Sequence, residues 1–147
     1  MAVTAEEMWN RAGLTGDWDA WAFGDDPDAL AKLVLDGVKT ATCSALCLYE
    51  IEGEALPEAG EFNIILDARG QAVCVTQTTR VTVLPFCQVS ARHAYLEGEG
   101  EKSLAAWRDT HRRFFTAELE AVGRAFREDL PLVCEEFRVV YPARDDN

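Results

Sequence analysis

Gln71-Ala72-Val73-Cys74-Val75-Thr76-Gln77-Thr78-Thr79-Arg80-Val81-Thr82-Val83-Leu84 is the stretch that decides the fold. Val73, Val75, Val81 and Val83 share one parity, as on the buried face of a strand, while Gln77 and Thr79 interrupt it. A long strand with polar residues at its middle bends or bulges, and bent strands of this kind close small barrels. Upstream, Asp67-Ala68-Arg69-Gly70 reads as a hairpin turn, and Glu61 to Asp67 as the partner strand. In that partner Phe62, Ile64 and Leu66 take one face and Ile65 the other.

The period changes on either side. Thr4 to Leu14 reads as a helix with a Thr4/Glu7 capping box. Trp18, Trp21 and Phe23 form a short aromatic segment, and Ala29 to Asp36 a second helix closed by Gly37. Thr40 to Tyr49 is rich in β-formers and reads as a strand; Glu50 to Gly60 is a polar connection. After Pro85, the residues Phe86, Val89, His93 and Leu96 fall at helical spacing, ending at Gly98 and Gly100. Ser103 caps a long helix through Val122, and Leu132 to Tyr141 is a last strand. Antiparallel strands with helices in the connections predict an α+β small β-barrel with helices packed around it. The expected organisation is one domain over residues 1–147, with a core of about 18–141 and an acidic tail at 142–147. A Rossmann fold is disfavoured, for there is no GxGxxG and no regular βαβ alternation; a P-loop is also missing.

Composition narrows the functions. The formal net charge is −12, which argues against a grip on duplex DNA or any long phosphate backbone. Of the 14 basic residues 11 are Arg, and Arg108, Arg112 and Arg113 lie close together, so single-stranded RNA or one nucleoside stays open. No apolar run is long enough to span a membrane, and the N-terminus lacks the pattern of a signal peptide, so a cytoplasmic protein is expected. The five cysteines show no CxxC spacing and most read as small buried hydrophobes; Cys43, inside the motif below, stays open to a functional role. HExxH is absent and the two histidines form no recognisable zinc set, so neither metal nor cofactor is expected.

Chemistry concentrates at Gly37-Val38-Lys39-Thr40-Ala41-Thr42-Cys43-Ser44. A partly desolvated Lys39 has a lowered pKa and serves as a base; a charged one holds a phosphate or polarises a carbonyl. The plain alternative is a solvated lysine at a helix C-terminus. Thr42 is a candidate nucleophile or a satisfied strand residue. Lys39 and Thr42, three apart, converge only if the backbone turns between them. Thr40 and Ser44 share the parity of Thr42 and are candidates for supporting roles. His93 and Glu97 lie one helical turn apart and can act as a unit. His111 sits on an apolar stripe and, with Arg108, would suit an anionic group. Trp21 and Phe23 can stack on a base or belong to the core. Glu135 shares the parity of Val133 and Phe137, which turns it inward unless a bulge intervenes.

These pieces together resemble the ASCH family of the PUA-like superfamily of small β-barrels. The resemblance rests on Gly37-x-Lys39-x-x-Thr42, on Trp21-Ala22-Phe23-Gly24, and on His93-Ala94-Tyr95-Leu96-Glu97-Gly98-Glu99-Gly100. It continues through Ser103-Leu104, Trp107-Arg108, His111 and Phe114-Phe115 to Cys134-Glu135-x-Phe137. It implies a cleft between barrel and helices suited to RNA or a nucleoside. One compact branch of the family hydrolyses N4-acetylcytidine to cytidine and acetate, and its working Lys, Thr and Glu fall on Lys39, Thr42 and Glu97. This chain is longer and has Ser44 where that branch usually has Arg. Other members are linked to cleavage of single-stranded RNA or to binding alone. The expectations are therefore a hydrolase of an acylated nucleoside or small amide, with an RNA-binding module or single-stranded RNA ribonuclease as the alternatives.

Overall fold

A computed structural model describes residues 3–143. The strands are β1 (Trp18–Ala22), β2 (Ala41–Ala45), β3 (Phe62–Leu66), β4 (Ala72–Pro85) and β5 (Pro131–Tyr141). The helices are α1 (Ala5–Ala12), α2 (Pro27–Leu35), α3 (Leu46–Glu52), α4 (Ala91–Glu97) and α5 (Leu104–Glu120). One mixed sheet in the order β1-β3-β4-β5-β2 curls into a half-barrel of α+β class, with the helices around it. Among the described residues only the β1–β3 pair is parallel.

The bend in β4 lies where the polar residues predict it. The pairing with β5 shifts register between Val75 and Thr76, and again between Thr78 and Arg80. At the second shift Thr79 is the extra residue, and its hydroxyl donates to the Glu136 carbonyl. A one-residue bulge inverts the side-chain parity beyond it. Val75 is therefore fully buried, whereas Val83, expected on the same buried face, is 47% exposed and Leu84 turns inward instead. Ile64 and Ile65 are both buried on opposite faces of β3, one against α1 and one against α2. The Asp67 carboxylate ties the hairpin by accepting from the Arg69 and Gln71 amides. The Thr4/Glu7 capping box of α1 is present.

Two elements depart from the sequence reading. Trp18–Ala22 is a strand, held as the parallel neighbour of β3 rather than by any alternation of its own. The stretch 40–49 is a strand only to Ala45 and then turns into α3. Ala45, at the N-cap of α3, offers no side-chain cap, so the start signal of that helix is missing from the sequence. Of the cysteines, Cys74 and Cys134 are buried, Cys43 and Cys47 half-buried and Cys87 exposed. Residues 144–147 of the acidic tail lie outside the described residues. No helix among the described residues is long and apolar enough to cross a membrane.

Candidate functional site

The loop between α2 and β2 is fixed from three sides. The Val38 and Lys39 amides both donate to the Leu33 carbonyl, the Thr40 amide to Leu96, and the Phe137 amide to the Thr40 carbonyl. Gly98 packs directly on this loop: a Cβ there would stand 2.5 Å from the Val38 oxygen, at a φ of +70°. The backbone therefore turns before β2 begins, and the turn sends the Lys39 side chain into the protein interior, 1% exposed.

The ammonium finds three acceptors there. It donates to Glu99 Oε2 at 2.7 Å, to Glu97 Oε1 at 3.2 Å and to the Glu97 carbonyl at 3.4 Å. It also lies 5.3 Å from the centre of the Phe23 ring. Burial alone would lower the Lys39 pKa, but the Glu97 and Glu99 carboxylates outweigh it and raise it above its ordinary value. Lys39 is therefore a held cation, and the lowered pKa that a base requires is not what its surroundings produce.

Glu97 is the hub of this cluster. Its Oε2 meets His93 Nε2 at 2.8 Å and accepts from Trp107 Nε1 at 2.9 Å. Its Oε1 lies 3.4 Å from His111 Nε2. Burial pushes the Glu97 pKa up, but Lys39 and the two histidines prevail and hold it well below the usual carboxylate range. His111 Nδ1 lies 2.9 Å from the Trp107 carbonyl, which only accepts, so Nδ1 carries a proton. Bonding to Glu97 through Nε2 then needs a second proton. Burial opposes that charge, yet Glu97 raises the His111 pKa. The Cys43 thiol also faces Glu97, and burial together with that carboxylate drives its pKa well up, keeping it protonated. Two donor sets, Cys43–His93–Glu97 and Glu97–Glu99–His111, each have ligand atoms within 4.8 Å of one another. Glu97 belongs to both, and its oxygens already engage Lys39, His93 and Trp107.

Next to the cluster a cleft of about 520 Å³ opens in the concave side of the sheet. Residues of both sheet edges line it: Trp18 and Trp21 from β1, Thr42, Cys43 and Ser44 from β2. Phe23, Tyr49, Phe62 and Phe114 add aromatic wall, and Asp17, Asp19, Glu54, Glu61, Glu118 and Glu135 supply carboxylates. No Lys, Arg or His occurs among the described residues that line it. Trp21 is fixed by its indole N–H on Asn63 Oδ1, at 2.9 Å, and by edge contact with Phe23.

The structure thus divides the candidates of the sequence between two neighbouring places. Lys39, His93, Glu97 and His111 form the buried cluster; Thr42, Ser44, Trp21 and Phe23 line the cleft. Phe23 and Cys43 belong to both and make the wall between them. The Thr40 hydroxyl donates to the Leu96 carbonyl at 3.5 Å. Arg108 lies outside both, donating to the Cys87 carbonyl. Sequence reasoning passed over Tyr49, which meets Ser44 Oγ at 2.8 Å because α3 turns back there. It also named Trp107 and Glu99 only as parts of the family motifs and gave neither a place in the site. A tryptophan four residues before His111 was the signal available for Trp107.

Comparison with known proteins agrees with this architecture. A family model described as "ASCH domain" matches residues 19–141. The crystal structure of an ASCH domain from Lactobacillus crispatus JV V101 superposes with a TM-score of 0.86 at 34% identity, covering 92% of this chain and 93% of that one. A protein of Enterococcus faecalis V583 gives 0.80 at 36% identity, over 91% of this chain and 86% of that one. None of the curated proteins compared matches the chain.

Proposed function

We propose, from the premise that the chain belongs to the ASCH domain family, that it is a hydrolase acting on an acylated nucleoside or small amide. The observation that carries this reading is the cleft itself. Its volume of about 520 Å³ suits one small molecule, and its aromatic walls suit a flat base. Carboxylates without a lysine, arginine or histidine among the lining residues disfavour a phosphate, and with it an RNA backbone. An uncharged N-acylated nucleoside meets no such repulsion.

The reaction needs a nucleophile, a proton carrier and stabilisation of the oxyanion. Thr42 supplies a hydroxyl at the cleft surface, to attack or to hold the attacking water. The new O–C bond forms at the acyl carbon, the C–N bond breaks, and the amine leaves with a proton, consuming one water overall. Lys39 stands behind the wall formed by Phe23 and Cys43, its charge matched by Glu97 and Glu99, and anchors the loop that leads into Thr42. Glu97, held charged, fixes the position of that cation.

The test is release of cytidine from N4-acetylcytidine by the purified protein, beside Thr42→Val and Lys39→Ala. Turnover by the parent protein that Thr42→Val abolishes supports the reading. No cytidine release by the parent protein rejects that substrate.

A further inference from the structure

Glu135 is a buried carboxyl group that the reaction outlined above does not use. It is 9% exposed, yet it lines the cleft. In the antiparallel β2–β5 pair it stands directly opposite Thr42, so both side chains leave the same face of the sheet. Directly opposed residues have Cβ atoms about 5 Å apart, a distance that one water or one substrate atom bridges.

We infer that Glu135 is the proton-exchanging carboxyl group of the cleft, placed to take a proton from Thr42 or its bound water and to pass it to the leaving amine. The inference rests on the hydrolase reading for its chemistry and on the sheet register for its place. As the O–C bond forms at the acyl carbon, the Glu135 carboxylate receives the proton of the attacking hydroxyl. As the C–N bond breaks, the same proton goes to the departing nitrogen, and the carboxylate is restored; where Thr42 itself attacks, water then cleaves the Thr42 ester by the same exchange and the carboxylic acid leaves.

The surroundings suit a group that changes charge. Opposite it from β2 is Thr42, and on its other side β4 brings Val81 into register and the Thr78 hydroxyl close by. Glu61, before β3, adds a like charge, and Tyr49 of α3 lies near enough to feel Glu135. Glu118 of α5 lines the same cleft, and none of the described lining residues is a cation. Burial, then Glu61, push the Glu135 carboxyl up to about 7, while Thr78 works the other way. A chain of polar contacts also joins this carboxyl to the aromatic wall. Trp21 donates to Asn63 Oδ1, and Asn63 Nδ2 donates to Thr78 Oγ1 at 3.5 Å, leaving the Thr78 proton free to face Glu135.

The experiment joins a titration to kinetics. The side-chain carboxyl carbons of the full-length protein are labelled with ¹³C-glutamate and followed by NMR from pH 4 to 9, with and without cytidine, Glu135→Gln assigning the signal. The expected result is one carboxyl that titrates near 7 and shifts when cytidine is added. In parallel, kcat/KM for N4-acetylcytidine should bend near pH 7, and Glu135→Gln should lower kcat by about 10²- to 10⁴-fold and remove that bend. Glu61→Gln should move the bend to lower pH. A Glu135 signal that titrates near 4.5 or ignores cytidine overturns the inference, as does a Glu135→Gln enzyme with unchanged rate and profile. If the parent protein hydrolyses no acylated nucleoside, the hydrolase reading fails, and the titration alone decides whether Glu135 carries the cleft's proton.

Discussion

The Lys39 ammonium lies 3.2 Å from Glu97 Oε1, across a separation of 58 residues, and each side chain is 1% exposed. A buried ion pair is a weak source of net stability, but removing one partner leaves a buried charge uncompensated. Lys39→Met should therefore destabilise the fold by about 3–5 kcal/mol. Glu97→Gln in the same chain should recover part of the loss, because an amide needs no counter-charge. Urea unfolding of the parent, both single variants and the double variant gives the coupling energy, which should be about 1–3 kcal/mol. Strictly additive losses would contradict the pairing.

This cluster should make stability depend on pH at both ends of the range. The folded pKa of Glu97 lies well below 4.5, so its contribution is fully present above its unfolded value and is lost as pH falls through the folded one. The folded pKa of His111 lies above 6.5, so its contribution is full below 6.5 and fades as pH rises through the higher value. Urea midpoints should fall on the acid side through Glu97 and on the alkaline side through His111. Glu97→Gln should flatten the acid limb and weaken the alkaline one, since Glu97 raises His111 more than the Trp107 carbonyl and Glu99 do.

Gly98→Ala tests the seat of the cluster rather than its charges. The added Cβ would meet the Val38 oxygen at 2.5 Å and the Lys39 Cα at 3.1 Å, both backbone atoms, at a φ that alanine disfavours. Gly98→Ala should cost about 2–4 kcal/mol, more than the roughly 1 kcal/mol of an unhindered left-handed site. Gly13→Ala, with nothing near its added Cβ, is the matched control for thermal denaturation.

The sequence disclosed some of this and hid the rest for definite reasons. Gln77 and Thr79 in the middle of a valine strand announced the bend, because a polar pair there has no place on a flat buried face. They did not announce the side of the bulge, so Val83 was assigned inward when it faces out. His93 and Glu97 were readable as a unit from helical spacing. Lys39 to Glu97 was not: the contact depends on α2, α4 and β5 holding the Gly37–Thr40 loop, and only family resemblance joined the two. Tyr49 was hidden because α3 begins without a cap. The parity of Glu135 pointed inward, but its place opposite Thr42 required the strand register.

Glu135 should also leave a mark on stability without any substrate. Its folded carboxyl titrates near 7 against an ordinary value of 4.5. Its contribution is full below 4.5 and is lost as pH rises through about 7, leaving a buried carboxylate as a penalty of up to roughly 3 kcal/mol at pH 8. Glu135→Gln should therefore stabilise the protein at pH 8 and have little effect at pH 4.5. Urea midpoints of the two proteins at both pH values test this; an equal effect at both would contradict it.

Trp21 should govern binding rather than chemistry. Its indole is held by Asn63 and by Phe23, whose ring lies 4.9 Å away at 82°, so its place in the cleft lining is preset. Stacking of one base on such a ring is worth about 1–3 kcal/mol. Trp21→Leu keeps the apolar wall and removes the stacking face and the Asn63 bond. The expected result is an increase of about 10-fold or more in KM, or in the Kd of cytidine by calorimetry, with kcat nearly unchanged. Cytidine should also quench tryptophan fluorescence in the parent protein and lose most of that effect in the variant. Undiminished quenching in Trp21→Leu would move the base away from Trp21, toward Trp18 or another aromatic residue of the cleft lining.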